Sequence, residues 1–472
     1  MEIINTLILA TYMEDIMLSL LVKNEKERRA YGYIIRLTLP IVIQNIFNSA
    51  VSSADVIMLN AVGQDAISAV SLASQYSNIL LTIFVGLGSG VSMLSSQYWG
   101  KKDVLTIERV QNIAFRFTLS ASLIFALPSL FFPQVMMGFY TSDSHLIALG
   151  SSYLRILGMS HLFWGISETY FYTLRSIEKV KICTAVNIFT FLLNISLNAL
   201  LIFGFLGLPK MGVAGVALAT AISRFIQFIL CIIISHKEKY ISLNLRKLGE
   251  KHPLLMHDFI HLSLPALGNC LIWGVAFSIY TAIMGHISSD LVAANSIVTV
   301  VRNFGAVFCY AVAGSTGIYI GKDLGAGKLK EAEENSRRAL ILVMITGILG
   351  GFIIFLITPL VLQLTDLSSQ ASLYLKSMLY INCIYIMGGA LNGTLINGIF
   401  RAGGDSRFGL ICDIIDMWVY AVPLGLFAAF VWKLPPLLVY LLLCTDEFVK
   451  LPWVWKHYQS KKWLKNITRD FS

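Results

Sequence analysis

One acidic residue sits where acids are costly. The stretch from Arg36 to Leu59, RLTLPIVIQNIFNSAVSSADVIML, is long and apolar enough to cross a bilayer, and it carries Asp55 inside it. On helical spacing Gln44, Asn48, Ser52 and Asp55 fall at i, i+4, i+8 and i+11, which puts them on one face. A carboxylate at membrane depth costs roughly 2.5–3.5 kcal/mol, so such a residue faces a cavity or a partner. The chemistry open to it is binding and releasing a proton or a sodium ion. The plainer alternative is an Asp paired within the bundle. Pro40 lies near the start of the span, where it can bend the helix and free backbone groups.

Further polar residues lie within apolar stretches. Asn194 and Asn198 stand one turn apart in LLNISLNALLIFG, Thr220 is close to Arg224, and Glu168 precedes Arg175 by nearly two turns. Asp413 and Asp416 are at i, i+3, with Tyr420 continuing their face. Arg224, Arg302, Asp446 and Glu447 are read as internal ion pairs or caps. Gly86, Gly88 and Gly90 form a GxGxG inside an apolar span. A nucleotide loop would need a preceding strand, so these glycines are read as close helix packing. The sequence shows no Ser-His-Asp grouping, nucleophile elbow or metal motif, and the reading is of a protein that is not an enzyme and carries no cofactor. The seven cysteines fall in or beside apolar spans without pairing logic and read as small packing residues.

The elements that must position these residues follow from composition. Of 472 residues 56% are hydrophobic and only 13% charged, against roughly 25% in soluble domains. With a mean hydropathy of +0.71 this is an all-α polytopic membrane protein. About twelve spans are expected: 37–60, 67–98, 111–138, 146–174, 181–206, 211–235, 258–286, 291–321, 338–364, 370–400, 407–431 and 436–456. The net charge of +9 reflects Lys and Arg gathered in alternate loops, such as Lys101, Lys102 and Arg109, rather than a nucleic-acid surface. By the positive-inside rule both termini are cytoplasmic and the protein lies in the cytoplasmic membrane. The expected organisation is a segment 1–36, a first lobe 37–235, a polar linker 236–257, a second lobe 258–456 and a tail 457–472.

The lobes read as a parallel repeat. LTLPIVIQN at 37–45 resembles LSLPALGNC at 262–270, and Pro40 and Pro265 stand 225 positions apart, as do Asp65 and Asp290, and Gly100 and Gly325. At that offset Gln44, Asn48 and Asp55 correspond to Asn269, Trp273 and Tyr280. One half therefore offers an ionisable stripe and the other an aromatic one, suited to stacking a flat organic cation.

These segments carry a resemblance. LPIVIQNIFNSAVSSADVIML, SQYWGKKD, NISLNALLIFGFLGLPKMGVAGVALAT, GKDLGAGKLKEA, FRAGGDSRF, WVYAVPLG and the tail resemble the MATE (multidrug and toxic compound extrusion) transporters over nearly the whole chain. The resemblance implies two six-helix lobes around a cavity, and monomeric antiport of amphipathic, often cationic, organic compounds against H+ or Na+. It implies that Asp55 is the cation-site acid, with Asn194, Asn198 and Thr220 as partners. Pro40, with Pro265 as its twin, becomes the bending proline, and Gln44, Asn48, Asn269, Trp273 and Tyr280 line the substrate cavity. Two departures stand out. Asn198 replaces a second acid, and Cys270 stands where relatives carry Glu, so any second-lobe acid must be Asp413 or Asp416. The rival readings are a lipid-linked saccharide flippase, which needs a strongly cationic cavity, and a membrane scaffold or embedded enzyme without a cavity.

Overall fold

The first helix starts earlier than its apolar stretch. Arg29 donates to Glu25 at 2.6 Å, one turn away, and Tyr31, Ile34 and Ile35 are buried beyond it. Together they extend α1 to Glu25–Asn60 rather than from residue 37. In the computed structural model, residues 24–60, 62–207, 209–237, 241–243, 245–365 and 367–470 are described; at Ser52, Ser53, Asp55, Val56, Ile57, Asn60, Leu206, Leu245 and Arg246 the description stops at the backbone. The expected role of residues 1–22 lies outside them.

After α1 come α2 Gln64–Lys101, α3 Val104–Phe131, the short α4 Pro133–Gly138, α5 Ser144–Gly158, α6 His161–Ser176, α7 Val180–Phe203 and α8 Gly212–Lys237. The second half runs α9 Pro253–Ile287, α10 Ser289–Gly325, α11 Leu329–Leu364, α12 Ser369–Phe400, α13 Ser406–Val431, α14 Pro436–Leu443, α15 Asp446–Val449 and α16 Leu451–Gln459. No strand occurs among the described residues. Ten of these helices are long and apolar enough to cross a membrane. Large apolar side chains such as Phe139 and Leu364 stand 77% and 74% exposed, a surface that only lipid can cover.

Two expected spans are not continuous. The one at 146–174 consists of α5 and α6, bent by 53° at a break after Gly158. Gly158 packs closely on α3 there: a Cβ on it would press on Ser129. The one at 436–456 is divided into α14, α15 and α16. It carries Asp446, Glu447 and Lys450, whose partners lie off the helix axis, and Pro452 starts a new turn. The span expected at 407–431 is a helix, but it widens to π-helical turns over Ile414–Ala421 and Phe427–Val431.

The chain forms two compact units, one of residues up to Val42 plus Gly268–Asp470, the other of Ile43–Leu267. The divisions fall inside α1 and α9, 225 residues apart, rather than in the polar stretch 236–257. Each unit therefore contains the start of the other half's first helix. In the 43–267 unit, α9 lies against α2 where a Cβ on Gly86 would come to 2.6 Å from Leu267 Cα, and one on Gly90 would overlap Ser263. The repeat-related places in the other unit hold Ala311 against Val42, and Ser315, whose hydroxyl bonds Thr38 at 2.7 Å. At the first of these places Leu267 on α9 meets glycine where the smaller Val42 on α1 meets alanine; at the second Ser263 meets glycine where Thr38 is hydrogen-bonded to a serine.

Other details repeat at the same offset. Left-handed turns close α2 at Lys102 (φ 65°) and follow α10 at Gly327 (φ 74°). Asp65 at the start of α2 meets His145 at the start of α5 at 3.3 Å, and Asp290 at the start of α10 accepts from Ser368 beside α12 at 2.7 Å.

Gly86→Ala should lower the melting temperature in detergent, by a loss of about 1–3 kcal/mol from overpacking. Adding Leu267→Val, which removes the Cδ1 contact but leaves the Cα and Cβ contacts in place, should recover only a minor part of it; differential scanning fluorimetry of the single and double variants checks this.

Candidate functional site

In the 43–267 unit the expected partners of Asp55 come together. Asn194 Nδ2 donates to Thr220 Oγ1 at 3.3 Å, and Asn198 Nδ2 donates to Asn194 Oδ1 at 3.2 Å. Both asparagines are buried, and the group joins α7 to α8. Asp55 belongs to the helical backbone of α1, but its side chain lies outside the described residues. Gln44 is half-buried with Oε1 unbonded, and Asn48 is exposed within this unit. Pro40 and Pro265 lie inside continuous helices. Among the described residues Arg224 has no carboxylate partner within ion-pair distance. It lies over the Trp164 ring at 3.8 Å and donates to Ser160 at 3.1 Å.

The second half builds a different centre. Lys450 Nζ lies 3.0 Å from Glu447 Oε1, 3.3 Å from Asp413 Oδ1 and 3.6 Å from Asp416 Oδ2, with all four side chains buried. Asn269 on α9 donates to Asp413 Oδ2 at 2.5 Å and accepts from Arg401 at 2.9 Å. Asn392 on α12 donates to Glu447 Oε2 at 2.9 Å. Asp446 accepts the backbone N–H of Glu447 at 2.7 Å and the Tyr280 hydroxyl at 3.2 Å. The π-helical widening begins just after Asp413, and Asp416 lies within it; such insertions recur at functional sites. Asp416 accepts no hydrogen bond at either oxygen from the described residues, and Oδ2 lies 3.6 Å from the Lys450 ammonium.

A cavity of about 320 Å³ opens beside this network. On one wall Trp273, Phe277 and Tyr280 follow one face of α9, with ring centroids 4.3 and 5.4 Å apart. On another, Asn295, Thr299, Arg302 and Asn303 follow one face of α10. Tyr385 and Tyr440 complete it, and Tyr280 links cavity to network through Asp446. Of the expected second-lobe residues, Trp273 and Tyr280 line the cavity, whereas Asn269 belongs to the charge network.

Arg302 departs from the ion-pair reading. It makes no hydrogen bond or ion pair with any described residue; its guanidinium sits over Phe277 at 5.1 Å and Tyr385 at 5.9 Å. The cavity wall of α10 was not singled out from the sequence, although Asn295, Thr299, Arg302 and Asn303 recur at i, i+4, i+7 and i+8 and carry that signal. The neutral counterpart of the Lys450 network was also missed: Asn187, 226 residues before Asp413, accepts from Gln227 at 2.9 Å.

Comparison with known proteins follows the same division. The MatE family model matches residues 40–200 and again 265–427. The uncharacterized transporter YisQ of Bacillus subtilis is 25% identical over 439 residues, covering 91% of this chain and 94% of its own. The probable multidrug resistance protein YoeA of the same organism is 24% identical, with the same coverage. Among solved structures, a mutant of the Vibrio cholerae MATE transporter VcmN superposes with a TM-score of 0.82 at 17% identity, covering 91% of this chain and 97% of that one. A MOP superfamily transporter from Pyrococcus furiosus gives 0.82 at 18% identity, covering 91% and 96%.

Removing one partner of a buried charge group leaves the others uncompensated, at a cost of about 3–5 kcal/mol. Lys450→Met should therefore sharply reduce folded yield and thermal stability. Arg337→Met, which breaks the exposed pair with Glu333, should change stability by less than about 1 kcal/mol. Size-exclusion yield and melting curves of the two variants make the comparison.

Proposed function

Because this chain belongs to the MatE family of multi-pass membrane transporters, which are not enzymes, we propose that it is a secondary antiporter. In this reading it exports amphipathic organic compounds, cations among them, across the cytoplasmic membrane in exchange for H+ or Na+. The curated relatives named as probable multidrug resistance proteins support an organic cargo. The observation that carries the coupling is the buried Asn194–Asn198–Thr220 group, which supplies amide and hydroxyl oxygens without a charge of its own. Asp55 would supply that charge. Cation binding there favours one arrangement of the transporter over the other by the difference in its affinity for the two. One charge moved down a ~100 mV potential contributes ~2.3 kcal/mol to the cycle.

Asp55→Asn keeps the size of the side chain and removes its ionisation. In proteoliposomes loaded with a fluorescent organic cation, the wild-type protein should export under an imposed Na+ or H+ gradient, tested one at a time. The variant, shown to be folded, should export at least about tenfold more slowly, as expected for the loss of an intramembrane ionisable group. Export by the variant at the wild-type rate would overturn the coupling role of Asp55, and activity under only one gradient identifies the ion.

A further inference from the structure

We infer that the cavity in the Gly268–Asp470 unit is a binding site for a flat organic anion, an aromatic carboxylate or sulfonate, rather than for a cation. Three observations meet there. Arg302 lines the cavity with no ion pair or hydrogen bond to any described residue, so its N–H groups are open to a ligand. A guanidinium is a fork of fixed geometry that matches two oxygens of a carboxylate or sulfonate. The aromatic faces of Phe277 and Tyr385 hold its plane without neutralising it.

The second observation is the company Arg302 keeps. Asn295 and Asn303, on the same face of α10, also line the cavity, and neither amide is bonded within the described residues. Their N–H groups add neutral donors to the same wall. No acid lines the cavity among the described residues, and Asp446 accepts the hydroxyl of Tyr280, a lining residue, at one of its oxygens. Trp273, 39% exposed and tilted at 54° to Phe277, also lines the cavity and offers a flat apolar face to a ring. At about 320 Å³ the cavity lies at the small end of the usual 300–1,000 Å³ range for small-molecule sites, enough for a two-ring compound.

The third observation is the internal repeat. Counting back 225 residues, Tyr280 corresponds to Asp55 and Arg302 to Ser77. The first half thus carries an acid and no base at these two places, and the second a base and no acid. The assignment extends the export reading, on which it rests only for the movement of the ligand and not for its binding.

The test is binding to the purified full-length chain in detergent by isothermal titration, followed in parallel by quenching of tryptophan fluorescence. The probes are 1-naphthoate, 1-naphthylmethanol and 1-naphthylmethylammonium, which share a ring system and differ in charge. The wild-type protein should bind naphthoate most tightly. Arg302→Gln should weaken naphthoate by about ten- to a hundredfold, the loss of a charge-assisted contact, while changing naphthylmethanol by less than about threefold. Asn303→Asp, which places a carboxylate on the guanidinium wall, should reverse the order of anion and cation. It also serves as the deciding variant should Arg302→Gln not fold. Tighter binding of the ammonium probe to the wild type, or unchanged naphthoate affinity in folded Arg302→Gln or Asn303→Asp, would overturn the assignment. Naphthoate binding without any transport in proteoliposomes would leave it standing and sink the export reading instead; transport of cations with no anion binding would do the opposite.

Discussion

Burying one ammonium among three carboxylates constrains everything around it. Lys450 can be held in an apolar medium only if its partners are brought to it and held in place. Asn269 on α9, Asn392 on α12 and the widened turn of α13 meet this demand. So does the division of the last span, which frees Asp446, Glu447 and Lys450 from a single helical register. The elements that wall the cavity are thus fixed by a network behind it, and Tyr280 is the side chain that belongs to both.

The two halves solve the same packing problem with different chemistry. The helix pair joined by Lys450 and Asp413 in one unit is joined by neutral Gln227 and Asn187 in the other. The stripe that carries Asn48 and Asp55 on α1 carries Trp273 and Tyr280 on α9. A common backbone plan thus carries contrasting charge in its two units.

Helix identity and the repeat were legible because both rest on local signals. Apolar length sets the spans, and Pro40 and Pro265 or Asp65 and Asp290 keep register across the chain. The polar group of Asn194, Asn198 and Thr220 was likewise readable from one-turn spacing together with the family resemblance. What stayed hidden depends on distant partners. Arg302 looked like half of an ion pair because sequence gives a charge but not its neighbours. Asn269 reads as a cavity residue because its repeat mate Gln44 shares a stripe with Asp55, whereas Asp413, 144 residues away, takes up its amide. The break after Gly158 lies where the chain packs closely on Ser129 of α3, and no spacing within α5 or α6 announces it.

The exchange of helix starts bears on where such a chain came from. Residues up to Val42 complete the unit built mainly by the second half, and the start of α9 completes the unit built by the first. A half-length ancestor would have been missing part of its own core and would have closed it only by trading first helices with a second copy, as domain-swapped dimers do. Gene fusion would then have joined two molecules that were already interlocked. The matching of Gly86 with Leu267 and of Ala311 with Val42 is what would be expected if, once they were joined, each seam was free to settle on its own pair of sizes.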